Sequence, residues 1–205
     1  MSETPPPGAR VAPSTARNRE PILSVLKPRL PASGLVLEIA AGAGEHAVYN
    51  AAALPHLIWQ PTDADDEALA SIEVWRRHAG LANLLAPLRL DAADPEAWPV
   101  ERADAVVNIN MIHISPWSAA QGLMTGAGRV LPSGGALFLY GPYLERDVPT
   151  APSNLAFDES LKRRNPAWGL REVEAVAALA GQNGLSLAER IAMPANNLTL
   201  VFRKA

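Results

Sequence analysis

The fold is decided by residues 35–44, which read Leu-Val-Leu-Glu-Ile-Ala-Ala-Gly-Ala-Gly. The apolar run over 35–40 predicts a buried strand, and residues 45–54 predict a helix. Glycines between the two allow positive φ angles and a close approach of the backbone to a ligand. The unpaired amides at the start of the helix can bind an anionic or carbonyl group. This order of strand, glycine turn and helix is typical of the first unit of a ligand-binding parallel sheet.

The rest of the chain alternates between apolar runs and amphipathic segments. Further strands are predicted over 57–62, 84–90, 104–110, 136–140, 185–193 and 197–203. Helices are predicted after an N-cap at Asn18 and over 45–54, 65–79, 116–130, 154–163 and 171–182. Strands that alternate with helices favour a parallel sheet covered on both faces. The short connection over 194–196 predicts an antiparallel hairpin, so the sequence predicts one doubly wound α/β domain with a C-terminal hairpin.

Composition restricts the classes of protein that fit. The chain has 205 residues, a formal net charge of −3, 48% hydrophobic and 19% charged residues, and no cysteine. These values are typical of a globular domain without disulfides, and they disfavour nucleic acid as a partner. No apolar run reaches the ~20 residues that span a bilayer, and the first residues lack the features of a signal peptide. We therefore expect a cytoplasmic protein with no membrane partner, a disordered tail over 1–16 and a single domain over 17–205.

Three acidic residues follow successive predicted strands. Glu38 ends the first strand, Asp63 follows the second and Asp91 follows the third. An acid at the position of Asp63 can accept hydrogen bonds from both hydroxyls of a ribose. Alternatively, Asp63 or Asp65 caps the next helix, and Asp63 alone does not separate the two roles. The combination of three acids indicates a site for a nucleoside.

Two nucleoside cofactors fit this pattern. The residues 42–47 can be taken as a variant of the dinucleotide fingerprint, which keeps an NAD-binding oxidoreductase as an alternative. Against it, the chain has no Tyr-x-x-x-Lys pair, and the C-terminal hairpin does not belong to an all-parallel dinucleotide sheet. The other cofactor is S-adenosyl-L-methionine (SAM).

Residues 38–44 resemble the acid-x-Gly-x-Gly-x-Gly motif of the class I SAM-dependent methyltransferases, with Ala40 in place of the first glycine. The chain also resembles the methyltransferase-like 26 family in the segments 18–23, 59–63, 108–117, 140–143 and 194–198. The resemblance implies a doubly wound, Rossmann-like, seven-stranded sheet that is parallel except for an antiparallel C-terminal strand. It also implies SAM as cofactor. The residues expected to line the SAM site are Glu38, Ala40, Gly42, Gly44, His46, Asp63, Asp91, Ala92 and Asn108.

Candidate catalytic residues follow the fourth and fifth strands. His113 can take a proton from a hydroxyl or an amine as a neutral imidazole, or it has a structural role. Tyr140 and Tyr143 leave the fifth strand at the same edge, where they orient an acceptor, stack on it or simply pack. The four histidines lack metal-ligand spacing, so no metal site is expected.

Candidate substrate-binding residues are polar side chains at the same edge of the sheet. Asn110 shares a strand face with Asn108, where the two bind a ligand or hold neighbouring loops. The helix over 154–163 presents Asn154 and Asp158, and the hairpin presents Asn196. Arg19, with Arg17, covers the site or meets an acidic acceptor. We expect a SAM-dependent methyltransferase with a small-molecule acceptor; the alternatives are a SAM-binding sensor or partner subunit and an NAD-binding oxidoreductase.

Overall fold

The computed structural model of the chain describes residues 5–205. Its helices are α1 Thr15–Leu26, α2 Glu45–Ala53, α3 Asp66–Ala79, α4 Trp117–Val130, α5 Pro152–Arg164 and α6 Val173–Gly181. Its strands are β1 Gly34–Ile39, β2 Leu57–Asp63, β3 Leu88–Arg89, β4 Ala105–Ile109, β5 Ala136–Gly141, β6 Tyr143–Leu144, β7 Arg171–Glu172, β8 Leu185–Met193 and β9 Asn197–Lys204. None of the helices in this part of the chain is long and apolar enough to cross a bilayer.

Seven strands form one sheet in the order β3-β2-β1-β4-β5-β9-β8. Strands β1 to β5 pair in parallel, whereas β9 runs antiparallel to β5 and β8. The predicted fold class is therefore confirmed. After β3 the chain crosses to the other side of β1, so the carboxyl ends of β1 and β4 flank the point where the strand order reverses. Ligands bind at such a point in open α/β sheets.

Successive residues of the central strands are apolar, and their side chains alternate between the two faces of the sheet. Helices therefore pack on both faces. On one face Leu37 and Leu137 belong to a core cluster that includes Leu123 of α4 and Val176 of α6. On the other face a second cluster joins Val36, Val107 and Phe138 to α1 and α2 through Ile22, Val25 and Val48. The core clusters extend to the carboxyl ends of the central strands through Ile39 and Ile109, so a site at this edge is formed by the segments that follow the strands.

Three predicted elements differ from the structure. The helix predicted over 171–182 begins only at Val173, because Arg171 and Glu172 pair with β6 as strand β7. The third strand is only two residues long, because Pro87 lacks the N–H that continues a ladder; Leu84 makes a single bridge to Trp59 instead. Helix α1 begins at Thr15, so Asn18 lies inside the helix and is not its N-cap.

The N-terminal segment before α1 runs along α3. The Arg10 N–H donates to Ser71 Oγ at 2.8 Å, and Trp75 Nε1 donates to the Arg10 carbonyl at 3.0 Å. The Ala12 N–H donates to Glu45 Oε2 at 2.6 Å. Residues 1–4 of the predicted tail lie outside the described residues. The division into a tail over 1–16 and a domain over 17–205 stays a prediction.

Candidate active site

The glycine turn after β1 is built from residues with positive φ. Ala40, Gly42 and Gly44 have φ angles of 57°, 60° and 95°. A Cβ on Gly44 would lie 2.8 Å from Ile72 Cα, so this position requires glycine for the approach of α3. Among residues 5–205, apart from Gly42 and its two chain neighbours, no atom lies within 4 Å of the position that a Cβ on Gly42 would occupy, so the turn is open on that side. Ala40 adopts a left-handed conformation, which costs a residue with a Cβ about 1–2 kcal/mol.

Two roles were considered for the acids after β2, namely capping of the next helix and binding of a ribose, and Asp63 and Asp65 differ in this respect. Asp65 caps α3, since its Oδ1 accepts the Glu67 N–H at 2.9 Å. The half-buried Asp63 instead accepts the Gly42 N–H on Oδ2 at 2.8 Å and the Asp65 N–H on Oδ1 at 3.0 Å. An ionised carboxylate has about four acceptor positions, so each oxygen of Asp63 retains capacity for a further donor. Asp63 therefore connects the open turn to the end of β2.

The other two acids have opposite environments. Asp91 is exposed, and its Oδ1 accepts the Ala93 N–H at 2.8 Å. Glu38 is 1% exposed, and its Oε2 accepts from Trp59 Nε1 at 2.6 Å. Burial raises the pKa of Glu38 to about 7; the hydrogen bond from Trp59 opposes this rise, and the charge of Asp63 adds to it. Glu38 is thus buried against Trp59 of β2, while Asp91 faces solvent.

The remaining predicted cofactor residues, Asn108, His46 and Ala92, are buried. Asn108 Nδ2 donates to the Ile39 carbonyl at 2.9 Å and joins the carboxyl ends of β1 and β4. His46 is buried in the first turn of α2, and its Nδ1 has no hydrogen-bond partner among residues 5–205. Burial, with the nearby charge of Arg19, lowers the pKa of His46 to about 4. Ala92 packs in the core cluster beside α4.

A cleft of about 860 Å³ opens beside the carboxyl ends of β4 and β5. Its walls come from α1, α5, the segments after β4 and β5, and the connection before β9. Five of the predicted catalytic and substrate-binding residues line it: Asn110, His113, Tyr140, Asn154 and Asn196. These residues are far apart in sequence and share the cleft because they all lie at one edge of the sheet.

His113 is held rigidly in the wall of the cleft. Its ring meets Phe157 edge to face, with 5.7 Å between the ring centroids. A Cβ on Gly141 would lie 3.1 Å from the His113 ring, so glycine allows the end of β5 to pack against it. Burial, with the charge of Arg171, lowers the pKa of His113 to about 4. The imidazole is therefore neutral near pH 7 and can accept a proton.

Tyr140 lies in the same wall as His113 and is 6% exposed. Burial raises the pKa of its phenol, and the adjacent Asn18 amide reduces this rise. The phenol is therefore protonated near pH 7, so Tyr140 can donate a hydrogen bond in the cleft.

Three predicted residues lie elsewhere. Tyr143 is buried in the core, beside a smaller pocket of about 220 Å³, and burial raises its pKa. Asp158 accepts the Leu170 N–H at 2.8 Å and pairs with Lys162, which turns its carboxylate away from the cleft. Arg19 lies over the Tyr49 ring on the outside of α2, 4.8 Å from the ring centroid. The structure does not bring these three side chains into the cleft.

The sequence offered Arg17 as a residue that covers the site, but the rest of the wall formed by α1 was missed. It contains Ser14, Arg17, Asn18 and Pro21. The spacing of three, four and seven residues places all four on one face of a helix. This spacing was the available signal, and it is hidden when the helix is taken to begin at Asn18.

Comparison with solved structures shows the fold. An O-methyltransferase family protein from Burkholderia thailandensis matches with a TM-score of 0.79 and 17% identity, over 94% of this chain and 57% of its own. An O-methyltransferase family 2 protein from Planctomyces limnophilus, solved in complex with apigenin, matches with a TM-score of 0.76 and 19% identity, over 94% and 60%. CalO1, a methyltransferase of calicheamicin biosynthesis in its SAH-bound form, matches with a TM-score of 0.75 and 17% identity, over 94% and 55%.

These similarities concern the architecture of the domain. The chain spans somewhat more than half of the length of these three proteins. It has the class I methyltransferase fold, in agreement with the strand order of its sheet. A family model described as "Protein of unknown function (DUF938)" matches residues 9–204, and the chain therefore belongs to the DUF938 family.

Proposed function

We propose that the protein is a SAM-dependent methyltransferase that acts on a small molecule. The observation that carries this proposal is the position of the His113 cleft. It opens at the carboxyl ends of β4 and β5, and β4 pairs with β1, whose carboxyl end leads into the open glycine turn, so the cleft and the turn share one edge of the sheet. The glycine turn and Asp63 have the features of a nucleoside site. The His113 cleft is concave and has apolar walls with a few polar groups, as sites for small molecules do.

The residues around the glycine turn fit SAM. The open side of Gly42 leaves room for a ligand against the backbone, and Asp63 retains acceptor capacity for the hydroxyls of a ribose. The exposed carboxylate of Asp91 follows β3, where the resemblance expects an adenine contact. When bound, SAM supplies a methyl group that is already activated on a sulfonium.

The residues of the cleft supply alignment and a place for a proton. Asn110, Asn154 and Asn196 offer neutral amides that orient the acceptor without adding charge. The apolar walls exclude water, and correct orientation is itself a large part of the rate of such a transfer. His113 is neutral above about pH 4 and has a free ring nitrogen for the proton of an acceptor hydroxyl or amine, while burial and the charge of Arg171 make it a weaker base than a free imidazole. The Tyr140 hydroxyl donates to the acceptor from the same wall.

We also propose that the DUF938 family is related to the methyltransferase-like 26 family. All five segments that carry this resemblance contribute to one region of the fold. The segments 18–23, 108–117, 140–143 and 194–198 each supply residues to the cleft. The segment 59–63 supplies Asp63. If the two groups resembled each other only because they share a fold, the similar residues would be spread over the core as well.

Turnover separates this proposal from a SAM-binding sensor or partner subunit. The protein is incubated with SAM and a small-molecule extract, and the release of S-adenosylhomocysteine (SAH) is measured. We expect release above the level without extract, and a loss of about 100-fold or more in His113→Gln because the base is removed. His78→Gln, on the C-terminal turn of α3, is the matched control and should keep full activity. SAM binding without any extract-dependent SAH would refute the transferase.

A further inference from the structure

The cleft has a charge character that differs from that of the whole protein. The chain carries a formal net charge of −3. Among the residues 5–205 that line the cleft, Arg17 is the only one with a permanent charge, and none has a carboxylate. A concave site with charge of one sign concentrates ligands of the opposite sign. The cleft is therefore suited to an anion although the protein is acidic.

Arg17 is available for such an anion. It is exposed on α1, and its guanidinium makes no ion pair within 4.0 Å with any carboxylate of residues 5–205. Several other arginines of the described chain are paired, for example Arg29 with Glu189 and Arg190 with Glu145. An arginine guanidinium presents donors in a fixed fork that matches a carboxylate or a phosphate.

The groups near the cleft strengthen this positive character. Arg171 packs behind the His113 turn, where its guanidinium donates to the Ser115 carbonyl at 2.9 Å and its charge acts on His113. The nearest acid on α5, Asp158, is neutralised by its pair with Lys162. No negative side chain of the described residues therefore offsets Arg17 inside the cleft.

The remaining walls indicate the body of the ligand. Ile114 and Phe157 are 42% and 39% exposed, although both are large and apolar. Pro21, Pro142 and Pro194 add further apolar surface without donors. Large exposed apolar side chains in a cleft gain free energy when an apolar ligand covers them. The volume of about 860 Å³ is sufficient for a ligand of drug size.

We infer that the methyl acceptor is a small organic anion with an apolar ring, and that Arg17 binds its carboxylate or phosphate group. That the ligand accepts a methyl group rests on the proposed function, whereas the binding of an anion by Arg17 does not. The anionic group serves recognition. Because Arg17 lies on α1 and His113 follows β4, the anion and the atom that accepts the methyl group are held by different walls.

A panel of matched ligands tests this inference. Ring-bearing carboxylic acids such as 4-hydroxybenzoate are compared with their neutral amides, and phenyl phosphate represents the phosphate source. Binding is measured by ligand-observed NMR and calorimetry with the full chain, with and without SAH. We expect the better anion class to bind at least 10-fold more tightly than the amides. This preference should fall to less than 3-fold in Arg17→Gln.

Arg19→Gln is the matched control, since Arg19 is also an exposed arginine of α1 but lies over Tyr49. It should keep the preference of the wild type. Equal binding of anions and amides by the wild type, or equal loss in both variants, would overturn the inference. So would an Arg17→Gln variant that loses SAM affinity and keeps the preference for anions, because Arg17 would then serve the cofactor.

The same samples separate this inference from the proposed function. A protein that shows the Arg17-dependent preference but binds neither SAM nor SAH retains the anion site and refutes the transferase. A protein that binds SAM and shows no preference retains the transferase and refutes the anion site.

Discussion

At the scale of single residues, the departure of the motif from the methyltransferase pattern has a simple structural outcome. Ala40 stands where the pattern has glycine, yet its φ of 57° is the left-handed value that glycine would provide. Alanine has the smallest side chain that carries a Cβ, so the conformational cost stays near 1–2 kcal/mol. The backbone at Ala40 therefore adopts a left-handed conformation although the residue is not glycine.

Glu38 gives a prediction on the pH dependence of stability. Its pKa is raised to about 7 in the folded protein, from an ordinary value of 4.5. The folded state therefore holds the proton more tightly than the unfolded state. The contribution of Glu38 to stability is complete below about pH 4.5 and is lost as the pH rises through 7. In Glu38→Gln this loss is absent, while an oxygen remains to accept from Trp59.

The free energy of unfolding of both proteins, measured with urea from pH 4.5 to 8, tests this prediction. The difference between Glu38→Gln and the wild type should shift by about 3 kcal/mol in favour of the variant over this range. The difference between the two proteins at pH 4.5 reflects packing of the substituted side chain. Only the change of this difference with pH reflects the ionisation of Glu38. A difference that is constant with pH would show that Glu38 ionises normally.

At the scale of elements, the contact of the glycine turn with α3 can be tested by a pair of substitutions. Gly44 and Gly80 both have left-handed φ angles, of 95° and 62°. A Cβ on Gly44 would lie 2.8 Å from the Ile72 backbone, whereas a Cβ on Gly80 meets nothing within 4 Å. Gly44→Ala should therefore cost at least 2 kcal/mol more than Gly80→Ala in chemical unfolding. Equal costs would mean that α3 does not pack closely on the turn.

The order of elements could be predicted from the sequence, because alternating apolar runs and amphipathic helices leave few arrangements of a parallel sheet. The same reasoning predicted that Asn110, His113 and Tyr140 lie at one edge of the sheet, since each lies at or just after the end of a central strand. The length of the third strand was overestimated because Pro87 interrupts it.

Other parts of the site depended on local geometry that periodicity does not specify. Tyr143 enters β6, which pairs with β7 and directs the ring into the core. Asp158 is turned away by the Leu170 N–H and by Lys162. Arg17 was expected near the site, but the rest of the wall formed by α1 was missed because Asn18 reaches the cleft only through the packing of that helix across the strand ends. Side-chain direction after a strand depends on tertiary contacts of this kind.

At the scale of the whole molecule, the site is divided between the two halves of the sheet. The first half supplies the glycine turn, Asp63 and Asp91 at the ends of β1, β2 and β3. The second half supplies the cleft through the segments after β4 and β5, together with α1 and α5. In the function that we propose, the first half binds the nucleoside and the second half binds the acceptor, so the two ligands meet at one edge of the sheet, as a transfer between them requires.

The central claim is tested most directly by calorimetric titration of the purified protein with SAM, repeated with Asp63→Asn and with the control Glu67→Gln. Glu67 is an exposed acid of α3. We predict micromolar binding by the wild type and the control, and at least a 10-fold loss, or about 1.4 kcal/mol, in Asp63→Asn. Absence of SAM binding by the wild type, or undiminished binding by Asp63→Asn, would contradict the site as we describe it.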